Sequence, residues 1–283
     1  MHPRIAGCSF IYPKKSLEEG IRQAAEFGFR TVDVGVGGAN GHLSPRDAAR
    51  EPEARAADVR RAAERHAVRL NECFSLNFGR PINDPDPEAR AETQRLFAGL
   101  LVFAKEAGFR SVLLLPGPVH APLGPRRSFD LAVEGLTPLA DAAAVRGMAL
   151  HVETDCDSCA ATPEAAEELC VRVPGISLTL DYSHFIFHGH AQEEVERLHR
   201  YAAHLHVRQA SRGRIVEAVE KGTIDYGRVL RGLEQAGYRG LFCVEYLHLP
   251  ELDAWGIDAA AETRRMAAEL DREIKALKGA RGK

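Results

Sequence analysis

Residues 27–34 read FGFRTVDV, residues 107–114 read AGFRSVLL and residues 236–244 read AGYRGLFCV. Each follows a helix-compatible run with a glycine, the residue that best takes the left-handed turn ending a helix. An aromatic comes next, able to pack back on that helix. An arginine follows, and then a run rich in β-branched and large apolar residues. A helix-to-strand junction used three times points to a repeated strand–helix unit.

The intervening sequence supplies the other units. Residues 5–10, 31–36, 68–76, 111–115, 149–153, 176–180, 204–207 and 241–245 read as strands. The run at 111–115 is almost wholly apolar, as expected of a parallel strand covered on both faces. Helices are expected between them. Ser16 opens the first, with Glu19 completing a capping box. Residues 53–66 form the second. Asp86-Pro87 opens a long third helix with Phe97, Leu100, Leu101 and Ala104 on its apolar side. Residues 128–146 form another, expected to bend or break at Pro138. Thr162-Pro163 caps the next, and helices follow over 192–201, 226–236 and from 258 onward. Eight strands alternating with helices in 283 residues suit a closed (β/α)8 TIM barrel, an α/β fold that usually takes about 250 residues. A doubly wound open sheet is the weaker alternative, because no glycine-rich phosphate loop is present. No linker interrupts the chain, so residues 1–283 read as a single domain.

Composition narrows the function. Hydrophobic residues make up 45% and charged residues 27%, a globular balance. A net charge of −3 gives no general attraction for nucleic acid or an anionic membrane. No apolar run approaches the roughly 20 residues that span a bilayer, and the first residues lack a signal-peptide pattern. A soluble cytoplasmic protein is expected. Of six cysteines, Cys8, Cys73 and Cys243 lie in apolar strand-like runs, while Cys156 and Cys159 form a lone C-x-x-C with no second pair to complete a zinc site.

In such a barrel, functional side chains sit at the C-terminal ends of the strands. Strand five ends at Glu153, strand six at Asp181, strand seven at His206 and strand eight at Glu245. Three carboxylates on successive strand ends repel one another unless a cation or protons neutralise them. With one imidazole they make a hard, mostly oxygen site. Such a site favours Mn²⁺ or Mg²⁺, with Co²⁺ or Zn²⁺ as alternatives.

These residues, in the contexts HVET, LDYSH, HLHVRQA and VEY, resemble the xylose isomerase-like TIM barrels. That group holds sugar and sugar-phosphate isomerases and epimerases, inosose dehydratases and the endonuclease IV branch. The resemblance spans nearly the whole chain. It implies one divalent metal bound by Glu153, Asp181, His206 and Glu245, and a keto sugar, sugar acid or related polyol as substrate. Glu153 and Glu245 would be the catalytic acid/base pair, moving a proton through a metal-stabilised enediolate. His184, three residues after Asp181, would contact substrate oxygens, and Arg212, six after His206, would hold substrate. Isomerase or epimerase activity is the leading expectation, and dehydration of a keto-inositol or keto sugar is the alternative. The ketose 3-epimerases carry a glutamate six residues after the first ligand; here Cys159 stands there. An endonuclease IV-like phosphodiesterase would need further histidines that the loop after strand seven lacks, and a non-catalytic sugar-binding barrel would lack a ligand.

Other candidates are softer. His42, in the loop GANGHLSP, could reach the substrate, and Asp33 ends strand two. His151 and His204 precede Glu153 and His206 by two, which puts each on its partner's side of the strand one layer deeper. They read as buried histidines bonded to neighbours. Arg208 is expected to fix the loop after strand seven. His188 and His190 are expected in a loop leading to the next helix. Trp255 reads as a pocket wall or a packing residue, and a homo-oligomer is an open expectation.

Overall fold

All three junction glycines adopt the expected turn, with φ of 92° at Gly28, 91° at Gly108 and 80° at Gly237. The aromatics that follow, Phe29, Phe109 and Tyr238, are buried. Phe109 packs back on the helix before it, its ring 6.0 Å from that of Phe103. The computed structural model describes residues 1–12, 15–37, 41–75, 78–248 and 250–281. Leu76, expected to close the third strand, and residues 38–40 of the loop before His42 lie outside the described residues.

The elements run β1 (Ile5–Cys8), α1 (Leu17–Glu26), β2 (Thr31–Gly35), α2 (Pro45–Arg50), α3 (Pro52–Arg65), β3 (Arg69–Phe74), α4 (Pro87–Ala107), β4 (Ser111–Leu114), α5 (Gly124–Val145) and β5 (Ala149–Val152). The second half continues with α6 (Pro163–Arg172), β6 (Ile176–Asp181), α7 (Tyr182–His188), α8 (Gln192–Val195), β7 (Ala202–Val207), α9 (Tyr226–Gln235), β8 (Phe242–Val244), α10 (Pro250–Trp255) and α11 (Ala259–Arg281). The strands pair in parallel in chain order, and β8 pairs with β1 to close an eight-stranded barrel. The expected (β/α)8 architecture is the observed one.

Local chemistry explains the helix starts. Ser16 and Glu19 form the reciprocal capping box of α1. Asp86 caps α4 through the Glu88 amide, with Pro87 in the first turn. Three details differ from expectation. Helix α5 runs through Pro138 without a break. The carbonyl that loses its donor there belongs to Glu134, on the helix's exposed side, where it is open to solvent. The helix expected over 192–201 is instead α8 followed by a 3-10 turn, Glu196–Tyr201. His188 lies in a helix, not a loop. Asp181 Oδ1 accepts from the Ser183 amide at 2.8 Å, which starts α7, and Gly189 ends it with φ 88°.

Register sets the depth of the side chains. Asp181 pairs with His206, His206 with Cys243, and Thr179 with His204. Asp181 and His206 therefore share one level of the barrel, with Glu153 and Glu245 just past the ends of β5 and β8. His204 and Thr179 lie one level below.

Candidate active site

Glu153, Asp181, His206 and Glu245 are all buried, with no more than 4% of any one exposed. His206 Nδ1 lies 2.8 Å from Glu153 Oε1 and 3.4 Å from Glu245 Oε2. Burial pushes the Glu153 carboxyl up to about 7 against the pull of His206. Burial also raises Glu245, opposed by His206 and Arg208. At His206, burial favours the neutral ring, but the Glu245 and Glu153 carboxylates outweigh it and hold the imidazole well above its usual range.

His184, expected to contact substrate, lies beside this group. Its Nε2 lies 3.7 Å from Asp181 Oδ2, and its Nδ1 accepts from the Cys156 amide at 3.0 Å. Burial drives its pKa down to about 3, so the ring is neutral across the physiological range.

Two sets of ligand atoms lie within 4.8 Å of one another at this level: Glu153, His206 and Glu245, and Glu153, Asp181 and His184. Glu153 belongs to both. The donors are carboxylate oxygens and imidazole nitrogens, and Asp181 Oδ2 is buried without a hydrogen bond. A hard divalent cation fits this donor set.

Below it lies a second polar storey. Glu72 Oε1 meets His151 Nδ1 at 2.5 Å and accepts from Ser111 Oγ at 2.7 Å, while Thr179 Oγ1 donates to Oε2 at 2.9 Å. Asp33 Oδ2 meets His204 Nε2 at 2.6 Å, and Asn71 donates to Oδ1 at 2.8 Å. His151 and His204 are thus the hydrogen-bonded barrel histidines expected of them. His206 Nε2 faces this storey, 3.8 Å from Asp33 and 3.9 Å from Glu72, too far for a hydrogen bond.

Two expected substrate contacts are not brought to the cluster. His42 has both ring nitrogens engaged by the chain: Nδ1 meets the Lys15 carbonyl at 2.8 Å, and Nε2 meets Ser9 Oγ at 3.0 Å. It clasps the loop after β1 against α1. Arg212 is exposed and packs over Gly189, at the rim of a cavity of about 490 Å³ shared with His190 and Arg228. Trp255 is partly buried beneath Arg214, whose guanidinium carbon is 4.6 Å from the ring centroid.

The arginine at the cluster is Arg208. It is 4% exposed, and its Nη1 donates to Glu245 Oε2 at 2.9 Å. Nε donates to Ser183 Oγ at 2.8 Å, and Nη2 lies 2.8 Å from Asp181 Oδ2. The signal for it was the strand period, since 204, 206 and 208 alternate onto one face. Glu72 was also overlooked. A glutamate at an inward position between Leu70 and Phe74 is itself a flag, because buried carboxylates need partners.

A closed parallel barrel with carboxylates and imidazoles gathered at the C-terminal ends of its later strands defines a class, the α/β barrels with a polar site at that mouth. Within it the chain belongs to the xylose isomerase-like TIM barrel family, whose model matches residues 21–271. A comparison with curated protein sequences finds no match. Solved structures with similar folds include an L-ribulose 3-epimerase, with TM-score 0.75 and 17% identity over 98% of this chain and 96% of that one. A D-allulose 3-epimerase from Methylomonas sp., solved with D-allulose, gives TM-score 0.73 and 16% identity over 95% and 96%. The 3-keto-D-glucoside 4-epimerase YcjR from E. coli gives TM-score 0.72 and 15% identity over 95% and 99%. No helix among the described residues is long and apolar enough to cross a membrane.

Proposed function

We propose that this protein is a divalent-metal-dependent isomerase or epimerase of a keto sugar or related polyol, working by proton transfer next to a carbonyl. The observation that carries the reading is the convergence of Glu153 and Glu245, from β5 and β8, on His206 Nδ1 in a buried site. The similar folds of three sugar epimerases support it.

Glu153, Asp181, His206 and Glu245 would hold the ion. When bound, it supplies Lewis-acid stabilisation of the negative charge that develops as a proton leaves the carbon beside a carbonyl. The residues do the rest. Glu153, a buried carboxylate whose Oε1 lies 2.8 Å from His206 Nδ1, suits the part of general base or acid beside the ion. Glu245, from the end of β8, is its counterpart across the site, its Oε2 3.4 Å from the same nitrogen. Epimerisation requires removal from one face and return to the other, and two carboxylates on separate strands meet that need. His184, neutral and with Nδ1 engaged by the Cys156 amide, presents an Nε2 hydrogen to a substrate oxygen. Burial of all these groups excludes bulk water and strengthens each interaction.

The test is incorporation of solvent deuterium into a panel of keto sugars and keto-inositols by protein loaded with Mn²⁺ or Mg²⁺. Exchange at the carbon beside the carbonyl is expected, and product analysis then separates epimer, isomer and elimination product. No exchange and no turnover with any loaded form would overturn the reading.

A further inference from the structure

Arg208 occupies a position that its hydrogen bonds do not explain. Its backbone is anchored: the Arg208 amide donates to the Tyr226 hydroxyl at 3.2 Å, and that hydroxyl donates to the Arg208 carbonyl at 2.7 Å. Half of its guanidinium is well held, with Nε on Ser183 Oγ and Nη1 on Glu245 Oε2. The Nη2 end is not. It lies 2.8 Å from Asp181 Oδ2, yet that oxygen has no hydrogen bond, so charge rather than bond geometry keeps them together. Nη2 also lies 3.1 Å from His184 Nε2. His184 Nδ1 already accepts from the Cys156 amide, and a neutral imidazole has one acceptor nitrogen. Its Nε2 therefore carries a hydrogen, and two donors face each other. The guanidinium thus neutralises Asp181 and Glu245 while straining against His184.

We propose that Arg208 is the site's resident cation: it holds Asp181 and Glu245 in the metal-free protein and surrenders Asp181 Oδ2 when a divalent ion binds. Metal affinity is then set by an exchange of guanidinium for metal, and the same exchange frees His184 Nε2 to meet a substrate. The inference rests on the metal-dependent reading above and adds to it a built-in competitor.

The experiment is calorimetric titration of the metal-stripped protein with Mn²⁺, comparing the parent with Arg208→Gln and Arg208→Lys. The glutamine variant is expected to bind Mn²⁺ at least tenfold tighter, and the lysine variant, which keeps the charge, within about threefold of the parent. Equal or weaker binding by Arg208→Gln, with Mn²⁺ bound by the parent, overturns the exchange and leaves the metal reading standing. No Mn²⁺ bound by any of the three overturns the metal reading and the exchange with it. A second measurement needs no loss of the side chain. Nitrogen-15 spectra of the parent protein, with Arg208 assigned by its absence in the lysine variant, are expected to show its Nη signals shifting on addition of Mg²⁺. Unchanged Nη signals at saturating Mg²⁺ overturn the exchange.

Discussion

Glu153 Oε1 lies 2.8 Å from His206 Nδ1, although β5 and β7 are not neighbours in the barrel. The contact crosses the interior, so neither residue reaches the other through backbone pairing. Both side chains are instead directed at one point. Glu245 Oε2, from β8, arrives 3.4 Å from the same nitrogen. The site is therefore a meeting of side chains from successive strand ends, drawn together over the mouth of the barrel.

If those carboxylates transfer the proton, removing either one stops exchange without unfolding the protein. Glu153→Gln and Glu245→Gln are each expected to lower kcat by about 10²–10⁴-fold, the usual contribution of a positioned acid or base. Melting temperature of the metal-free protein is expected to change little for Glu153→Gln, because burial already disfavours the charge at Glu153. Deuterium exchange and thermal melts on the same samples check both points. Full exchange in either variant would remove that residue from the mechanism.

The storey below makes a different prediction, about stability against pH. Burial alone would raise Asp33, but His204 and His206 outweigh it and hold its carboxyl far below the usual range. Burial alone would lower His204, but Asp33 and Glu72 outweigh it and raise the ring. A depressed carboxyl contributes stability above its unfolded value of about 4, lost as pH falls toward its folded value. A raised imidazole contributes stability that is full below about 6.5 and is lost as pH rises through its folded value. The contribution of the Asp33–His204 pair to the stability of the metal-free protein is therefore expected to be greatest between about pH 5 and 6.5. Asp33→Asn removes the carboxyl and the partner that raises His204, so its profile is expected to be lower and flatter. Melts from pH 3.5 to 9 decide it, and an unchanged profile in Asp33→Asn counts against the pairing.

The barrel was legible because its signals are local. A glycine, an aromatic and an arginine before an apolar run mark a junction wherever they occur, and Gly28, Gly108 and Gly237 each made one. The strand-end residues Glu153, Asp181 and His206 could be read in the same way, because the fold itself assigns meaning to the end of a strand. What could not be read depended on which distant groups share a space. Arg208 looks like a loop residue until Asp181 and Glu245 are known to lie beside it. Glu72 looks like a stray charge until His151, Ser111 and Thr179 surround it. His42 shows the same dependence in the opposite direction: a histidine in a loop near the mouth suggests substrate, but both of its ring nitrogens are engaged by the chain's own groups.

That reassignment is testable. With Nδ1 on the Lys15 carbonyl and Nε2 on Ser9, His42 ties the loop after β1 against Gly20 of α1. His42→Ala is expected to destabilise the protein by about 1–3 kcal/mol, the cost of losing a partly buried hydrogen-bonding group, and to leave KM for the identified substrate within about twofold. A KM raised tenfold with unchanged stability would return His42 to the substrate.

The junction logic itself can be tested at Gly7. A Cβ built there would lie 2.3 Å from the Phe29 ring, the aromatic of the first FGFR junction. Gly7 pairs with Val32 and Val244 across two parallel contacts, so β1 has no freedom to step away. Phe29 is wholly buried, in an interior that is generally close-packed. Gly7→Ala is therefore expected to cost about 1–3 kcal/mol by overpacking, read as a lower denaturation midpoint with an unchanged slope. Phe29→Leu alone is expected to cost stability by opening a cavity, yet it removes the ring atoms that the new methyl would strike. The double variant is accordingly expected to be more stable than the sum of the single losses predicts, a positive coupling that a double-mutant cycle measures. Strict additivity would mean that Gly7 and Phe29 do not share the space, and that glycine is present in β1 for some other reason.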